Sequence, residues 1–279
     1  MPELPEVETV KRTLEPLLGL KVESAWTSQL KLRHNVSTQT LNKLFSSKVV
    51  TKVERLGKYL LIFFDGSKRG LLVHLGMSGR LRLFAKDAEK AKHTHMILGL
   101  SKTKELRYSD PRRFGILDTF DVDKPKENKY LSKLGIDALE GSFSVSDLHK
   151  RLQAKRSNIK SILLDQGLLC GIGNIYACEA LWIAKVHPKT EGYLLSKQEL
   201  KRVMAGIQKT LSSALVKGGT SLRDFVNADG HKGENIHYLN VYGRTGQPCP
   251  RCKAPIVSLK ISNRSTFLCS ICQKPKANS

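Results

Sequence analysis

Two Cys-x-x-Cys pairs near the C-terminal end of the chain constrain its fold more than any other feature. Cys249 and Cys252 form the first pair, and Cys269 and Cys272 form the second after sixteen intervening residues. Two such pairs, each on a tight knuckle, supply four thiolates at the spacing of a tetrahedral structural zinc site. A redox dithiol would account for one pair but not for the other. The pattern therefore predicts one structural zinc ion, with a β-hairpin over residues 256–267 between the knuckles.

The chain is strongly basic, with 47 Lys and Arg residues against 25 Asp and Glu residues and a formal net charge of +22. Such an imbalance repels itself unless a polyanion is the partner, and nucleic acid is the leading candidate. An anionic membrane surface is the alternative, but no apolar run reaches the roughly 18–20 residues of a spanning helix. The N-terminal end also lacks the apolar core of a signal peptide. We therefore expect a cytoplasmic protein that does not enter a membrane.

The spacing of apolar residues divides the chain into a β-rich part and a helical part. A helix is predicted from about residue 3 to residue 18, followed by short β-type runs between residues 22 and 120. These runs begin near residues 48, 59, 71, 80, 95 and 115. Turns separate them, which favours an antiparallel sandwich or barrel. Beyond a polar connecting stretch, helices are predicted at about 145–153, 159–165, 174–184 and 197–216. The expected fold class is α+β with more than one domain.

The first residues of the chain place two prolines close to three carboxylates. Removal of Met1 would leave Pro2 as a terminal secondary amine with an α-amino pKa of roughly 7.7–8.0. Such an amine beside the carboxylic acid of Glu3 can form a Schiff base with an electrophilic carbon. The alternative is a helix start, in which Glu3, Glu6 and Glu8 complement the helix dipole. From these residues alone, the helix start is favoured.

A glycine-punctuated turn around Gly171 and Gly173 leads into a predicted helix that begins near Asn174. It lacks the full dinucleotide-binding pattern of glycines, and a helix rather than a strand precedes it. Free backbone amides and the Asn174 side chain would suit a DNA phosphate. A glycine-rich helix connection without a ligand explains the pattern equally well, so both interpretations stay open.

Two turn-like segments of the β-rich part carry residues that are unusual for loops. One contains Met77, and the other contains Arg112 and Phe114. Apolar side chains on such loops could fill a gap in a base stack while an arginine pairs with an orphaned base. Met77 and Phe114 could instead belong to the core, whereas adjacent arginines are hard to bury. For Lys58, an exposed lysine at a strand end is the simpler interpretation.

Taken together, these segments resemble the formamidopyrimidine-DNA glycosylase family, and the resemblance runs from one end of the chain to the other. The segments that carry it are Pro2–Glu8, Gly57–Leu60, His74–Gly79, Asp110–Gly115, Gly171–Tyr176, Gly218–Phe225, Val241–Arg244 and the four cysteines. The resemblance implies an N-terminal catalytic β-sandwich domain with an N-terminal helix, a helix-two-turn-helix domain and a zinc-finger hairpin. The corresponding boundaries are residues 1–120, a connecting region over 121–150, then 151–239 and 240–279.

The resemblance also implies a bifunctional base-excision enzyme that removes oxidised purines from duplex DNA and then nicks the abasic strand. Pro2 would be the nucleophile at the anomeric carbon, Glu3 would protonate the ring oxygen, and Glu6 would be a supporting carboxylate. Lys58 would act as an acid in strand scission, and Arg264 would serve the second elimination. Besides the zinc ion, no redox or nucleotide cofactor is expected.

The same resemblance implies that damaged double-stranded DNA is the partner of a monomeric protein. Met77, Arg112 and Phe114 would enter the helix vacated by the flipped nucleotide. The remaining implied DNA contacts are His93, Lys155 and Asn174, with His74 and Tyr242 as weaker candidates. Two alternatives remain: an endonuclease VIII-like enzyme acting on oxidised pyrimidines, and a catalytically silent zinc-containing DNA-binding protein.

Overall fold

The computed structural model describes residues 1–142, 144–222 and 225–276. Arg223 and Asp224 of the 218–225 motif, Phe143 of the expected connecting region and residues 277–279 of the expected zinc-finger domain lie outside the described residues. The chain divides into two compact units. The first comprises Met1–Lys133 and Leu215–Ile236, and the second comprises Leu134–Ala214 and His237–Ser279. Each unit is thus built from two stretches of chain.

The described residues of the first unit form two α-helices and eight strands. In chain order they are α1 (Leu4–Thr13), β1 (Val22–Thr27), α2 (Thr38–Phe45), β2 (Val50–Leu56), β3 (Tyr59–Phe64), β4 (Arg69–His74), β5 (Arg80–Ala85), β6 (Thr94–Leu100), β7 (Lys104–Ser109) and β8 (Ile116–Asp121). One sheet has the order β1-β6-β7-β5 and the other has the order β2-β3-β4-β8. All neighbouring strands pair antiparallel. The predicted antiparallel β-sandwich is confirmed.

The core of this unit draws buried apolar side chains from both sheets and both helices. Leu60 of β3 and Leu98 of β6 belong to it, as do Val7 of α1 and Phe45 of α2. Helix α1 packs against β2 and β3. This packing fixes the start of the chain against one sheet, because Leu4 and Val7 are completely buried.

Helix α1 is shorter than the helix predicted for residues 3–18. It ends at Thr13, and a single 3-10 turn covers Glu15–Leu17. Pro16 explains the difference, because its nitrogen cannot donate to the carbonyl of Arg12 and its ring would clash with that carbonyl. The helical part of the prediction is therefore correct only up to the turn before the proline.

The second unit is mainly helical. Its elements are α3 (Val145–Leu152), α4 (Ile159–Leu164), α5 (Asn174–Ala184) and α6 (Lys197–Val216), with two-residue strands β9 (Ile136–Asp137) and β10 (Leu169–Cys170) and the hairpin strands β11 (Val257–Ile261) and β12 (Arg264–Leu268). The four predicted helices are confirmed. The predicted hairpin is also confirmed, and its two-residue turn places Ser262 and Asn263 at positive φ angles of 48° and 59°.

Along the described stretches of the chain, no helix combines the length and the apolar character needed to cross a membrane.

Candidate functional site

The N-terminal stretch is buried from its second residue onward. Pro2 is buried, whereas Met1 is 47% exposed. Glu3 is the N-cap residue of α1, and it forms a capping box with Glu6. The backbone N–H of Glu3 donates to Oε2 of Glu6 at 2.7 Å, and the Glu3 carboxylate accepts from the backbone N–H of Glu6. The helix start that the first residues favour is therefore present, and it holds two buried carboxylates next to Pro2.

Glu6 also connects α1 to a segment more than 200 residues away in the sequence. Its Oε1 atom accepts a hydrogen bond of 2.7 Å from the backbone N–H of Thr220. Gly219 permits this approach, because its φ angle is +86° and an added Cβ would lie 3.0 Å from the same Glu6 oxygen. Glu6 is only 1% exposed, and each of its carboxylate oxygens accepts a hydrogen bond from a backbone N–H group. This geometry gives Glu6 a supporting position between Glu3 and the 218–220 turn.

Lys58 is buried rather than exposed, contrary to the simpler interpretation of a strand-end lysine. It follows Gly57 in the tight turn between β2 and β3, where the φ angle of Gly57 is +59°. Arg55 of β2 supports this turn, because its Nη1 donates to the carbonyl of Gly57 at 3.2 Å. The Nε of the same arginine forms a buried ion pair with Oε2 of Glu8 at 2.9 Å. A chain of contacts thus joins α1 to the turn that carries Lys58.

The ion pair between Glu8 and Arg55 is expected to be important for stability. Breaking a buried pair by removing one partner typically costs about 3–5 kcal/mol. The substitution Glu8→Gln should therefore lower the free energy of unfolding substantially in urea titrations at pH 7. Glu54→Gln is the matched control, because Glu54 lies on the same strand as Arg55 and pairs with Lys52 at the surface. This control should change the free energy of unfolding by less than about 1 kcal/mol.

The same pair predicts a pH dependence. Burial alone would raise the pKa of Glu8, but hydrogen bonds from Arg55 and Arg12 outweigh burial and lower the pKa below its ordinary value. The stabilisation is therefore present above the ordinary glutamate pKa of roughly 4.3 and is lost as the pH falls through the lower, folded-state pKa. The stability difference between the wild type and Glu8→Gln should narrow with acidification. A difference that stays constant down to the acid transition would contradict this assignment.

The two unusual loops of the β-sandwich expose their apolar side chains. Met77 is 39% exposed and Phe114 is 47% exposed, so neither belongs to the core. The guanidinium of Arg112 lies 5.2 Å from the centre of the Phe114 ring. The loops touch at Gly76, where an added Cβ would lie 2.6 Å from the backbone nitrogen of Gly115. The described structure therefore brings Met77, Arg112 and Phe114 onto two loops in direct backbone contact.

His74 and His93 of the first unit differ in their exposure to solvent. Burial, followed by the positive charge of Lys58, lowers the pKa of His74 to about 4, so its ring is neutral at physiological pH. Its Nδ1 accepts from the backbone N–H of Gly76 at 3.1 Å, which leaves the proton on Nε2. His93 is exposed and has a positive φ angle of 67°. His93 presents its side chain to solvent, whereas His74 is half-buried.

In the second unit, Arg264 is exposed as the first residue of β12, and the residue after it is held by two helices. The carbonyl of Ser265 accepts from Nδ2 of Asn174 at 2.9 Å and from Nζ of Lys160 at 3.2 Å. The Lys160 ammonium is fully buried and also donates to Oγ1 of Thr266 at 2.5 Å. These contacts tie the strand that begins with Arg264 to α4 and α5.

Lys155 and Tyr242 lie elsewhere on the second unit. Lys155 is exposed in the turn after α3, and its carbonyl accepts from the backbone N–H of Tyr193 at 3.1 Å. Tyr242 packs edge-on against Phe267 with ring centres 4.8 Å apart. Its backbone N–H donates to Oε1 of Glu179 at 2.9 Å.

Sequence reasoning missed Glu179 and Lys160, two buried charged residues of this unit. Glu179 is 1% exposed, and its carboxylate accepts from the backbone N–H groups of Asn240, Val241 and Tyr242. It is the single charged residue of α5, which is otherwise apolar or neutral. A lone charge in an apolar helix is the signal that could have identified it, since such groups are rarely buried without partners.

The four cysteines of the two knuckles lie together. Their sulfur atoms are all within 4.8 Å of one another, with Sγ–Sγ distances of 4.0 Å between Cys249 and Cys272 and 3.4 Å between Cys252 and Cys269. Four thiolates around a tetrahedral zinc ion are separated by roughly 3.8 Å at a Zn–S distance of ~2.3 Å. The fully buried Gln273 supports the second knuckle by accepting from the backbone N–H of Cys269 at 3.0 Å. The residues therefore fit one structural zinc ion.

Comparison with known proteins agrees with this arrangement along the chain. Sequence models of three domains match: the formamidopyrimidine-DNA glycosylase N-terminal domain over residues 1–117, the H2TH domain of the same enzyme over residues 134–226, and a zinc finger found in FPG and IleRS over residues 246–275. The formamidopyrimidine-DNA glycosylase of Dichelobacter nodosus is 42% identical over 275 residues, which cover 98% of this chain and 100% of that protein.

Two solved structures of the Lactococcus lactis Fpg (MutM) protein are also similar. One is a complex with DNA that contains N7-benzyl-Fapy-dG, with a TM-score of 0.90. The other is a complex with DNA that contains an oxidised pyrimidine, with a TM-score of 0.89. Each is 34% identical in sequence and covers 98% of this chain and 100% of its own. With the sandwich, the helical domain and the four-cysteine cluster in place, the chain belongs to the formamidopyrimidine-DNA glycosylase family.

Proposed function

We propose that this protein is a bifunctional DNA glycosylase and abasic-site lyase that excises oxidised purines, such as 8-oxoguanine and formamidopyrimidines, from duplex DNA. The observation that carries the proposal is the buried Pro2 followed by the capped, buried Glu3 at the start of α1. The net charge of +22 and the DNA complexes of the Lactococcus lactis protein support a DNA substrate. A monomer bound to DNA at the nucleoid, in the cytoplasm, is the expected state.

The proposed chemistry begins after removal of Met1, because the nitrogen of Pro2 is otherwise a non-nucleophilic amide. The amine attacks the anomeric carbon of the damaged nucleotide, and the bond to the base breaks, with the electron pair leaving on the base. The departing base takes up the proton that the Pro2 nitrogen loses after the new N–C bond forms. Glu3 donates a proton to the ring oxygen as the sugar opens, which leaves an iminium between Pro2 and the sugar. The iminium makes the neighbouring C–H group acidic, because its C=N bond can accept the electron pair that the departing proton leaves behind.

Strand cleavage follows from the iminium by elimination. Loss of the proton next to the iminium carbon expels the 3′ phosphate, and a second elimination expels the 5′ phosphate. We assign Lys58 as an acid in the first step and Arg264 as the side chain that serves the second. Hydrolysis of the iminium then releases Pro2. A bound zinc ion would order the two knuckles, and β12 would present Arg264 to the phosphates beside the lesion.

The remaining assignments concern DNA binding. We propose that residues 1–120 form the catalytic domain with Pro2, Glu3 and Lys58, and that residues 121–150 connect it to a DNA-binding domain over residues 151–239. The zinc finger over residues 240–279 would supply Arg264. In the base stack, Met77, Arg112 and Phe114 would replace the flipped nucleotide, since they are exposed on two contacting loops. The further contacts proposed are His93, Lys155, Asn174 and, with weaker support, His74 and Tyr242.

The substrate class is tested by comparing the excision rates of two lesions, each placed in its own duplex with the same flanking sequence. The protein should release 8-oxoguanine opposite cytosine faster than thymine glycol opposite adenine, with an undamaged duplex as the control. The comparison is needed because the Lactococcus lactis protein also forms a complex with oxidised-pyrimidine DNA. Faster excision of thymine glycol under single-turnover conditions would favour the endonuclease VIII-like alternative instead.

A further inference from the structure

Asp110 is completely buried, and its carboxylate gathers hydrogen bonds from both unusual loops. Its Oδ1 accepts from the hydroxyl of Ser78 at 2.6 Å and from the backbone N–H of Arg112 at 3.2 Å. Its Oδ2 accepts from the backbone N–H of Gly115 at 2.8 Å and lies 3.4 Å from the hydroxyl of Tyr108. Ser78 follows Met77, while Arg112 and Gly115 lie on either side of the pair Arg113 and Phe114. One side chain therefore spans the bases of both loops.

The backbone of Asp110 brings in a third segment. Its N–H donates to the carbonyl of His93 at 3.0 Å. Its own carbonyl lies 3.1 Å from Nε2 of His95, whose Nδ1 lies 2.9 Å from the hydroxyl of Ser28. His95 is itself only 1% exposed. A single buried residue therefore contacts the three segments that carry Met77, His93 and the pair Arg112 and Phe114.

Close packing around this carboxylate leaves little freedom for the loops. The hydroxyl of Tyr108 occupies the space where a Cβ would lie at Gly79 and at Gly115. Burial, followed by the negative charge of Asp110, raises the pKa of Tyr108 well above its ordinary value, so this hydroxyl stays protonated. All the neighbouring groups at the carboxylate are donors, and a carboxylate accepts at both oxygens. An amide in its place would turn one acceptor into a donor facing a donor.

We propose that Asp110 is the positioning residue of the wedge, meaning Met77, Arg112 and Phe114, and that it holds both loops at the spacing needed to fill the gap in the base stack. This inference rests on the proposed function, because it assigns the wedge to the flipping of a damaged nucleotide. Asp110 is too deeply buried to touch DNA itself, so it acts through Ser78 and through the backbone of the 110–115 loop.

The test measures kcat/KM of the variant Asp110→Asn on two DNA substrates. One is an 8-oxoguanine duplex, which requires a wedge, and the other is a single-stranded oligonucleotide with an abasic site, which has no paired stack to fill. Loop displacement of ~1 Å is enough to cost on the order of 100-fold, so kcat/KM on the duplex should fall about 10–100-fold while the single-stranded substrate changes less than about threefold. Asp121→Asn is the matched control, because Asp121 also accepts from turn backbone at 3.0 Å and 3.3 Å.

Ser78→Ala is the second variant. It removes one hydrogen bond to Asp110 and leaves the carboxylate in place, so it should show the same duplex-selective loss at smaller size. If Asp110→Asn does not fold, as judged by circular dichroism and zinc content, the duplex-selective loss of Ser78→Ala serves as the test of the proposal. An equal loss on both substrates, or no loss on the duplex, would overturn the assignment of Asp110. A wild-type protein that cleaves neither substrate would instead overturn the proposed function on which it rests.

Discussion

Glu3→Gln is expected to reduce excision of 8-oxoguanine by a factor on the order of 10²–10⁴, the range that general acid catalysis contributes. The variant is informative because the glutamine carbonyl can still accept from the backbone N–H of Glu6, so the cap of α1 is retained while the transferable proton is lost. Pro2→Gly should likewise reduce excision and covalent trapping by more than about 100-fold, since the nucleophile is replaced at the start of a buried segment.

Glu15→Gln is the matched control for the same substitution near the same helix, because Glu15 is exposed in the turn after α1. Its excision rate should equal that of the wild type. Intact mass should be recorded for every variant, because a chain that keeps Met1 would be inactive for a trivial reason. Full activity of Glu3→Gln in a processed chain would exclude Glu3 as the proton donor.

Loss of a zinc ligand is expected to have the second large effect. Cys269→Ala removes a completely buried thiol from the cluster, and it should reduce both the zinc content and the cleavage of lesion DNA. The decrease in cleavage should exceed the roughly 10–100-fold that loss of an outer partner costs a metal site. The reason is that β11 and β12 form only a two-stranded hairpin, which is marginally stable without further support. Arg264 and the contacts of Ser265 depend on that hairpin.

Cys170→Ala is the matched control, since Cys170 is equally buried in the same unit but lies outside the cluster. It should retain one zinc ion per chain, measured by mass spectrometry of the metal, and it should cleave lesion DNA at the wild-type rate. A Cys269→Ala protein that keeps both its zinc and its cleavage rate would show that the cluster is not the metal site.

The helical half of the fold follows closely from apolar periodicity, and the β half follows only in part. Helices α3 to α6 begin and end within a residue or two of their predicted bounds. Strand β7 was missed, because Arg107 is buried between Leu106 and Tyr108 and breaks the alternation that marks a strand. Arg107 is accommodated by Glu105 and by the carbonyls of Ala88 and Glu89. The pattern of apolar residues along a strand does not show that distant groups will satisfy a buried arginine.

Strand β1 and helix α2 were missed for a related reason. Strand β1 reads Val-Glu-Ser-Ala-Trp-Thr, and only Val22 and Ala25 are buried, so its pattern is irregular around a register shift. Helix α2 is eight residues long and buries only Leu41 and Phe45. The side chain of Asn42 in α2 forms hydrogen bonds with the backbone N–H and carbonyl groups of Ala25 in β1. Each element therefore depends on a partner that sequence periodicity does not reveal.

Part of the candidate site can likewise be predicted from the sequence, and part depends on contacts that form only in the folded chain. The four cysteines were identified by spacing alone, because a metal site needs only ligands at suitable intervals. The contact between Glu6 and Thr220 joins residues 214 positions apart, and no local pattern could predict it. Asp110 likewise precedes Pro111 in a turn-like segment, and its central place among three segments exists only in the folded chain.

The most direct test of the central claim is reductive trapping with borohydride on an 8-oxoguanine duplex, followed by proteolysis and mass spectrometry of the cross-linked peptide. We expect a covalent adduct on the peptide that begins at Pro2, formed only by chains from which Met1 has been removed. An adduct on an internal lysine such as Lys58, or tight lesion binding with no adduct at all, would contradict it.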